Sequence, residues 1–210
     1  MDPGLSNKNN TFAYYYFDIE TVPLQQYICD REASFEPSKS KIITIQYQRL
    51  DMKTGAPLSE LVMLKEWEQN SSEKHLIEKF KQIYLDNGYW AFIPVGNNLL
   101  FENRFMKYKL RQFCNLDGLY LWHRPMVDLK HILIIMNDGK FRGSAGLIGK
   151  NGKSRNMAQW YNSKDFYSIE QYVTEEASNF ISAYYILKKE IPRLRYQIAY
   201  DIASNPNLPL

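Results

Sequence analysis

The fold depends on the stretch "YYYFDIETVP", residues 14–23. Its aromatic first half is typical of a buried β-strand, because Tyr and Phe fit a pleated, half-buried surface. Side chains two positions apart in a strand point to the same side, so Asp18 and Glu20 form a pair at the strand's carboxyl end. Neighbouring carboxylates repel each other unless they are neutralised, and Mg²⁺ and Mn²⁺ favour oxygen ligands. Two interpretations follow: a divalent-metal site, or two solvated charges where a strand ends.

The composition is that of a globular protein. The chain has 210 residues, of which 45% are apolar and 15% aromatic, which suits one domain spanning residues 1–210 and excludes a disordered chain. It contains neither a membrane-length apolar run nor an apolar signal core, so we expect a cytoplasmic protein. Cys29 and Cys114 form no metal pattern and indicate no disulfide framework. A net charge of +3 permits an anionic partner without requiring one.

Working outward from the first strand, the pattern predicts a central mixed sheet flanked by helices. Residues 41–50 alternate Ile with polar side chains and predict a second strand, and residues 58–65 predict a third. The Gly- and Pro-containing turn between them predicts an antiparallel hairpin. A hairpin followed by alternating helices and strands is typical of an α/β domain. Further helices are predicted at 72–86, 98–113 and 168–189, with a short helix that ends at Met136. Further strands are predicted at 89–96 and within 119–128.

Two segments near the end of the chain need separate predictions. Residues 138–167 contain five of the ten glycines and six Lys or Arg residues, which favours a long, basic, mobile loop with a helical turn near Met157–Tyr161. The capping box "SIEQ" at 168–171 is expected to open the last helix, and Pro192 to stop it. This leaves a weakly patterned tail at 193–210.

The segment "FDIET" resembles the first motif of the DEDD (DnaQ-like) superfamily of 3′–5′ exonucleases, in the form carried by the proofreading domains of B-family DNA polymerases. The resemblance implies a ribonuclease H-like fold and two further acids along the chain. "PVGNNLLFENRF" (94–105) resembles the second motif, because Asn98 and Glu102 lie four apart on one helix face with Phe101 before the acid. The family carries Asp where this chain has Glu102.

"EQYVTEEASNFISAYYIL" (170–187) resembles the last motif in its tyrosine form, with Tyr172 and Glu176 four apart. Glu again replaces the family's Asp. None of the three histidines, His75, His123 and His131, occupies the place expected for the histidine subgroup. "MVDLKHI" (126–132) resembles the family's strand ending in Asp-Leu, which puts Asp128 near the site as a support or a substrate-side acid.

The resemblance implies two divalent ions, Mg²⁺ or Mn²⁺, as cofactors. Asp18 would bridge them, Glu20 and Glu176 would hold the ion that activates water, and Glu102 would hold the other. Tyr172 would orient the attacking water. The residues expected to contact the terminal nucleotide are Ile19, Thr21, Asn98 and Phe101, with Asp128 beside them.

The resulting hypothesis is a metal-dependent 3′–5′ exonuclease that releases nucleotides from single-stranded DNA ends, in repair or in trimming. The basic loop would hold phosphates while Trp160 or Tyr161 stacks on a base, or it is a solvated insertion. Two alternatives remain open: a nucleic-acid or partner-binding module of the same fold weakened by its Glu substitutions, and an RNA-trimming exoribonuclease. No motif identifies a protein partner.

Overall fold

The computed structural model describes residues 12–30, 32–85, 91–116, 125–149 and 153–205. Within these residues the strands form a five-stranded sheet in the order β3-β2-β1-β4-β5. The strands are β1 (Tyr14–Pro23), β2 (Ser40–Leu50), β3 (Val62–Lys65), β4 (Ile93–Gly96) and β5 (Val127–Asp128). The helices are α1 (Glu73–Leu85), α2 (Leu99–Cys114), α3 (Lys130–Met136), α4 (Met157–Asn162) and α5 (Phe166–Ser204). Short 3₁₀ turns lie at Gln25–Tyr27, Ala33–Phe35, Ser144–Ile148 and Lys153–Asn156.

The sheet is mixed, as the sequence predicts, and β1 lies at its centre. β1 pairs antiparallel with β2 along its whole length and parallel with β4 over Tyr14–Tyr16 only. β2 pairs antiparallel with β3, and β4 pairs parallel with β5. The second half of β1 therefore continues beyond the carboxyl end of its parallel neighbour.

Helices cover both faces of the sheet because the side chains of β1 alternate. Phe17 and Ile19 enter a cluster with buried residues of α1 and α2. Tyr16 enters a second cluster with Val95 and with buried residues of α3 and α5, including Phe180. Since Asp18 and Glu20 share the face of Tyr16, they project towards the α5 side of the sheet.

The end of α5 corrects a prediction. The sequence predicts that Pro192 stops the helix near Lys189, since proline lacks an N–H and clashes with the preceding turn. The helix instead continues through Pro192 to Ser204, so most of the predicted tail is helical. The residues on either side of Pro192 are mostly strong helix formers, which favours continuation. Residues 206–210 lie outside the described part of the chain.

The start of α5 corrects a second prediction. The helix begins at Phe166 rather than at the expected capping box. Its N-cap is Asp165, whose carboxylate accepts hydrogen bonds from the Ser168 backbone N–H at 3.1 Å and from the Ser168 hydroxyl at 2.7 Å. Ser168 thus lies inside the first turn as a partner of the cap.

The described residues of the glycine-rich segment 138–167 contain more helical structure than the predicted loop. They form two 3₁₀ turns and α4, which confirms the expected helical turn near Met157–Tyr161. β3 is shorter than predicted, because residues 57–61 meet β2 through the Leu50–Pro57 bridge and hydrogen bonds of Ser59. Parts of the predicted elements at 72–86, 89–96 and 119–128 lie outside the described residues.

Candidate active site

Three carboxylates converge where β1 passes α5. Asp18 and Glu20 follow the last residue that pairs with β4, and the β1–β2 register shifts immediately after Glu20. Glu176 comes from α5 on the same side of the sheet. One ligand oxygen from each of Asp18, Glu20 and Glu176 lies within 4.8 Å of the other two. A strand irregularity of this kind re-aims side chains, and such irregularities are common beside active sites.

The Asp18 carboxylate is held by two hydrogen bonds from β1. The Tyr16 hydroxyl donates to Oδ2 at 3.3 Å, and the Ile19 N–H donates to Oδ1 at 3.0 Å. Burial, followed by the negative charges of Asp18, Glu176 and Glu20, raises the pKa of Tyr16 well above its ordinary value. Tyr16 therefore stays a neutral donor beneath the acids. Sequence reasoning missed this residue, although its place two positions before Asp18 already puts it on the same face.

Tyr172 lies one turn before Glu176 on α5, and 8% of its surface is exposed. Burial raises the pKa of Tyr172 far above its usual range, and the charges of Glu20 and Glu176 raise it further. A side-chain hydrogen bond with Glu176 also favours the protonated phenol. The Tyr172 hydroxyl is consequently a hydrogen-bond donor at neutral pH and not a base.

Glu102 lies in the first turn of α2 and is 4% exposed. It lines the same cleft as Asp18 and Glu20 but is not part of the 4.8 Å group, which among the described residues contains only the other three acids. At Gly96, the last residue of β4, a Cβ atom would lie 2.6 Å from Leu99 Cδ2 at the start of α2 and 2.8 Å from the Phe17 carbonyl oxygen of β1. Glycine at this position therefore leaves room for the start of α2 beside β1.

Asp128 supports the start of α2. Its Oδ1 accepts from the backbone N–H of Asn98 at 2.8 Å and of Lys130 at 2.9 Å, and its Oδ2 accepts from the Leu99 N–H at 2.9 Å. Lys130 Nζ donates to Asn98 Oδ1 at 2.7 Å. Asp128 is not among the residues that line the cleft, so its described contacts are those of a helix cap, and a role in substrate binding stays a prediction.

Asp18, Glu20 and Glu102 line a cleft of about 1180 Å³, whereas Glu176 is buried and is not part of its lining. Ile19, Thr21, Asn98 and Phe101, the residues predicted to contact substrate, all line it. The described part of the basic segment contributes Arg155. The cleft is lined by Asp18, Ile19, Glu20, Thr21, Ser34, Phe35, Asn97, Asn98, Phe101, Glu102, Gly143, Ala145, Gly146, Ser154, Arg155, Met157 and Tyr172.

The two aromatic residues expected to stack on a base instead join the protein's own packing. The Tyr161 hydroxyl bonds with Glu66 and accepts from Lys41 Nζ at 2.6 Å. Trp160 packs beside Tyr172, with ring centroids 6.1 Å apart. Neither residue lines the cleft. Phe35, which sequence reasoning missed, does line it; it follows a stretch without apolar periodicity, so no pattern marked it.

The donor set fits a hard divalent cation. Three carboxylates this close repel one another, and a cation bound between them removes that repulsion while meeting the preference of Mg²⁺ or Mn²⁺ for oxygen. Burial is the main reason that the pKa values of Tyr16 and Tyr172 are raised, and the charges of these acids raise them further. The cluster can therefore hold metal, with Glu102 as a further carboxylate in the same cleft.

The mixed sheet with helices on both faces defines an α/β protein of the ribonuclease H-like fold, which confirms the predicted fold class. Solved structures of exonuclease I share it. One such structure, studied for how processivity is achieved, has a TM-score of 0.54 at 12% identity over 91% of this chain. The zinc-bound complex of Escherichia coli exonuclease I with single-stranded DNA has a TM-score of 0.56 at 12% identity over 90% of this chain. The metal-free form of that complex gives 0.55 at 12% identity over 88% of this chain.

This likeness is one of fold, because the sequence identity is low. The chain spans 41% to 44% of the length of these exonuclease I chains. No protein-family model matches the sequence, and no curated protein matches it. The predicted tyrosine subgroup and the resemblance to B-family polymerases stay predictions. In the described residues, no helix combines the length and apolar composition needed to cross a membrane.

Proposed function

We propose that the protein is a metal-dependent 3′–5′ exonuclease acting on single-stranded DNA ends. The observation that carries this proposal is the convergence of Asp18, Glu20 and Glu176 within 4.8 Å, with Asp18 and Glu20 lining a cleft. Structures of the same fold include exonuclease I in complex with single-stranded DNA, which supports the substrate class. The order of acids along the chain supports the DEDD superfamily, in its tyrosine form.

In this proposal the four acids hold two divalent ions. Asp18, Glu20 and Glu176 would hold one ion, and Glu102, with Asp18, would hold the other. When bound, the ions supply a nucleophile from water at neutral pH and stabilise the charge on the departing oxygen. Tyr16 and the Ile19 N–H fix the Asp18 carboxylate, so that this carboxylate need not reorganise when substrate binds.

Tyr172 orients the attacking water. Its hydroxyl remains protonated because burial and the neighbouring acids raise its pKa, so it acts through hydrogen bonds rather than by removing a proton. Exchange of Tyr172 for Phe removes the hydroxyl while keeping the ring. We expect the loss to appear mainly in kcat, since positioning of the nucleophile acts on the chemical step.

The test is digestion of a 5′-labelled single-stranded DNA oligonucleotide with Mg²⁺ or Mn²⁺, followed on a sequencing gel. Wild type is expected to give a ladder that shortens one nucleotide at a time, and excess chelator is expected to abolish it. Asp18→Asn should abolish it too. Asp201→Asn is the matched control, because Asp201 lies in the exposed end of α5, far along the helix from Glu176. No cleavage by folded wild type with either metal would refute the proposal.

A second candidate is a binding module of the same fold that does not cleave. The position of Glu102 outside the 4.8 Å group favours it, because a longer acid set back from the cluster weakens a second metal site. Calorimetry separates the two, since a pure binding module would bind single-stranded DNA while showing no tight Mn²⁺ binding. An RNA oligonucleotide of the same sequence tests the exoribonuclease alternative in the same gel assay.

A further inference from the structure

The turn at Ala33–Phe35, between β1 and β2, presents an exposed aromatic ring beside the cleft. Phe35 is 57% exposed, and both Ser34 and Phe35 line the cleft. A single exposed phenylalanine is ordinary on a protein surface. This one is distinguished by how firmly its backbone is attached to the rest of the fold.

Side chains bind all three carbonyl oxygens of the turn. The Ser40 hydroxyl donates to the Ala33 carbonyl, the Thr21 hydroxyl donates to the Ser34 carbonyl at 3.1 Å, and the Arg104 guanidinium donates to the Phe35 carbonyl. These donors come from β2, β1 and α2, and Ala33 itself is fully buried. Three regular elements therefore fix the backbone that carries an apolar ring facing water.

The Phe35 ring forms part of the wall of the cleft that Asp18 and Glu20 also line. Its edge meets Phe101 with ring centroids 6.3 Å apart at 76°, and Phe101 packs on Phe105 at 4.7 Å. Thr21, one of the three anchors of the turn, directly follows Glu20. Arg155 lines the same cleft, so an aromatic surface, a cation and the carboxylate cluster share one opening.

We propose that Phe35 is a stacking platform for a nucleobase of the single strand whose 3′ end occupies the cleft. The inference rests on the proposed function and names the strand-binding residue of that site. Every base has an apolar face, so stacking on an aromatic ring is tolerant of sequence. Because the turn is already fixed, little conformational entropy is lost when a base stacks on it.

The experiment measures binding of a fluorescent single-stranded DNA roughly 12 nucleotides long to variants in the Asp18→Asn background, which prevents digestion. Phe35→Ala is expected to weaken binding about 5- to 100-fold, whereas Phe35→Trp keeps it near the parent value. Tyr196→Ala is the matched control, since Tyr196 is 75% exposed and about 36 Å of helix separates it from Tyr172. Thermal unfolding checks that each variant is folded.

A scan with single abasic sites identifies the stacked base. At one position the abasic strand should bind the parent protein as weakly as the intact strand binds Phe35→Ala, and there Phe35→Ala should cause no further loss. If Phe35→Ala and the parent bind single-stranded DNA equally well while wild type digests it, the stacking role of Phe35 is contradicted and the proposed function still stands. A wild type that neither binds nor digests single-stranded DNA would overturn both.

Discussion

At the scale of single residues, the contact between Tyr16 and Asp18 decides how the acid cluster is held. Tyr16 is 2% exposed, and its hydroxyl donates a hydrogen bond to Asp18, the more buried of the two acids of β1. The pKa of Tyr16 is raised by burial and by the three nearby acids, so the donor persists at all ordinary pH values. Partners of this kind tune metal ligands although they touch neither metal nor substrate.

Tyr16→Phe removes this donor and keeps the ring. We expect Mn²⁺ affinity or the rate of digestion to fall about 10- to 100-fold, because outer hydrogen bonds to metal ligands have effects of that size. Calorimetry and the gel assay measure the two quantities. Tyr184→Phe, another buried tyrosine, serves as the control and should leave both near wild type. Unchanged Mn²⁺ affinity and rate in Tyr16→Phe would contradict a positioning role for Tyr16.

At the scale of secondary-structure elements, Gly96 governs how closely α2 approaches β1. A Cβ atom there would lie 2.6 Å from Leu99 Cδ2 and 2.8 Å from the Phe17 carbonyl oxygen. The Leu99 side chain has some freedom to move, but the backbone of the central strand does not. The junction between β4 and α2 therefore depends on glycine, and Glu102 lies in the first turn beyond it.

Gly96→Ala should lower the free energy of unfolding by about 1–3 kcal/mol, the usual effect of overpacking. Activity should fall as well, since the start of α2 that carries Glu102 has to shift. Chemical denaturation measures the first effect and the gel assay the second. Gly146→Ala is the control for stability alone, because its new Cβ would meet nothing within 4 Å. If Gly96→Ala has the same free energy of unfolding as wild type, the junction between β4 and α2 does not depend on glycine.

The elements that the sequence predicts well are those where periodicity and a motif agree. The aromatic residues of 14–23 predict the central strand, and the strand period puts Asp18 and Glu20 on one face. The i, i+4 spacing of Tyr172 and Glu176 puts them on one helix face. Phe35 and Tyr16 escaped prediction for another reason. The role of Phe35 depends on contacts with residues distant in sequence, and no periodicity marks it. The strand period puts Tyr16 on the face of Asp18, but it does not predict the hydrogen bond between them.

At the scale of the whole molecule, α5 both completes the site and projects away from it. Leu187 is its last buried residue, and every residue from Ile191 to Asn205 is exposed. The predicted stop at Pro192 failed because a proline rule describes a local cost, while flanking helix formers and an exposed setting allow the helix to continue. The projecting end makes no contribution to the buried core.

A variant that ends after Ile191 should therefore keep the melting temperature and digestion rate of the full chain. Calorimetric unfolding and the gel assay check these two expectations, with the full chain measured alongside. A large fall in melting temperature would show that the exposed end of α5 stabilises the folded protein through contacts other than core packing.

Alkaline unfolding tests the burial of Tyr184 on the face of α5 that packs against the sheet. Burial raises the pKa of Tyr184 to about 12, against about 10 for a free phenol. Below about pH 10 the phenol is protonated in both the folded and unfolded states, so the stabilisation from this shift is fully present. Above that pH the unfolded state ionises first, and the free energy of unfolding falls until the folded phenol ionises as well.

Tyr184→Phe should make this alkaline fall shallower, since it removes one group that ionises only on unfolding. Denaturant titrations at pH values between about 8 and about 12 measure the effect. An identical slope in wild type and Tyr184→Phe would mean that the phenol is already ionised, or solvated, in the folded state.

The central claim is that Asp18, Glu20 and Glu176 form a divalent-metal centre, and titration of the protein with Mn²⁺ by calorimetry tests it most directly. Wild type is expected to bind Mn²⁺ saturably, and Asp18→Asn and Glu176→Gln are expected to lose that binding. Asp201→Asn, with its change on the exposed end of α5, should bind as wild type does. Mn²⁺ binding that is absent in wild type, or equal in all four proteins, would contradict the metal centre.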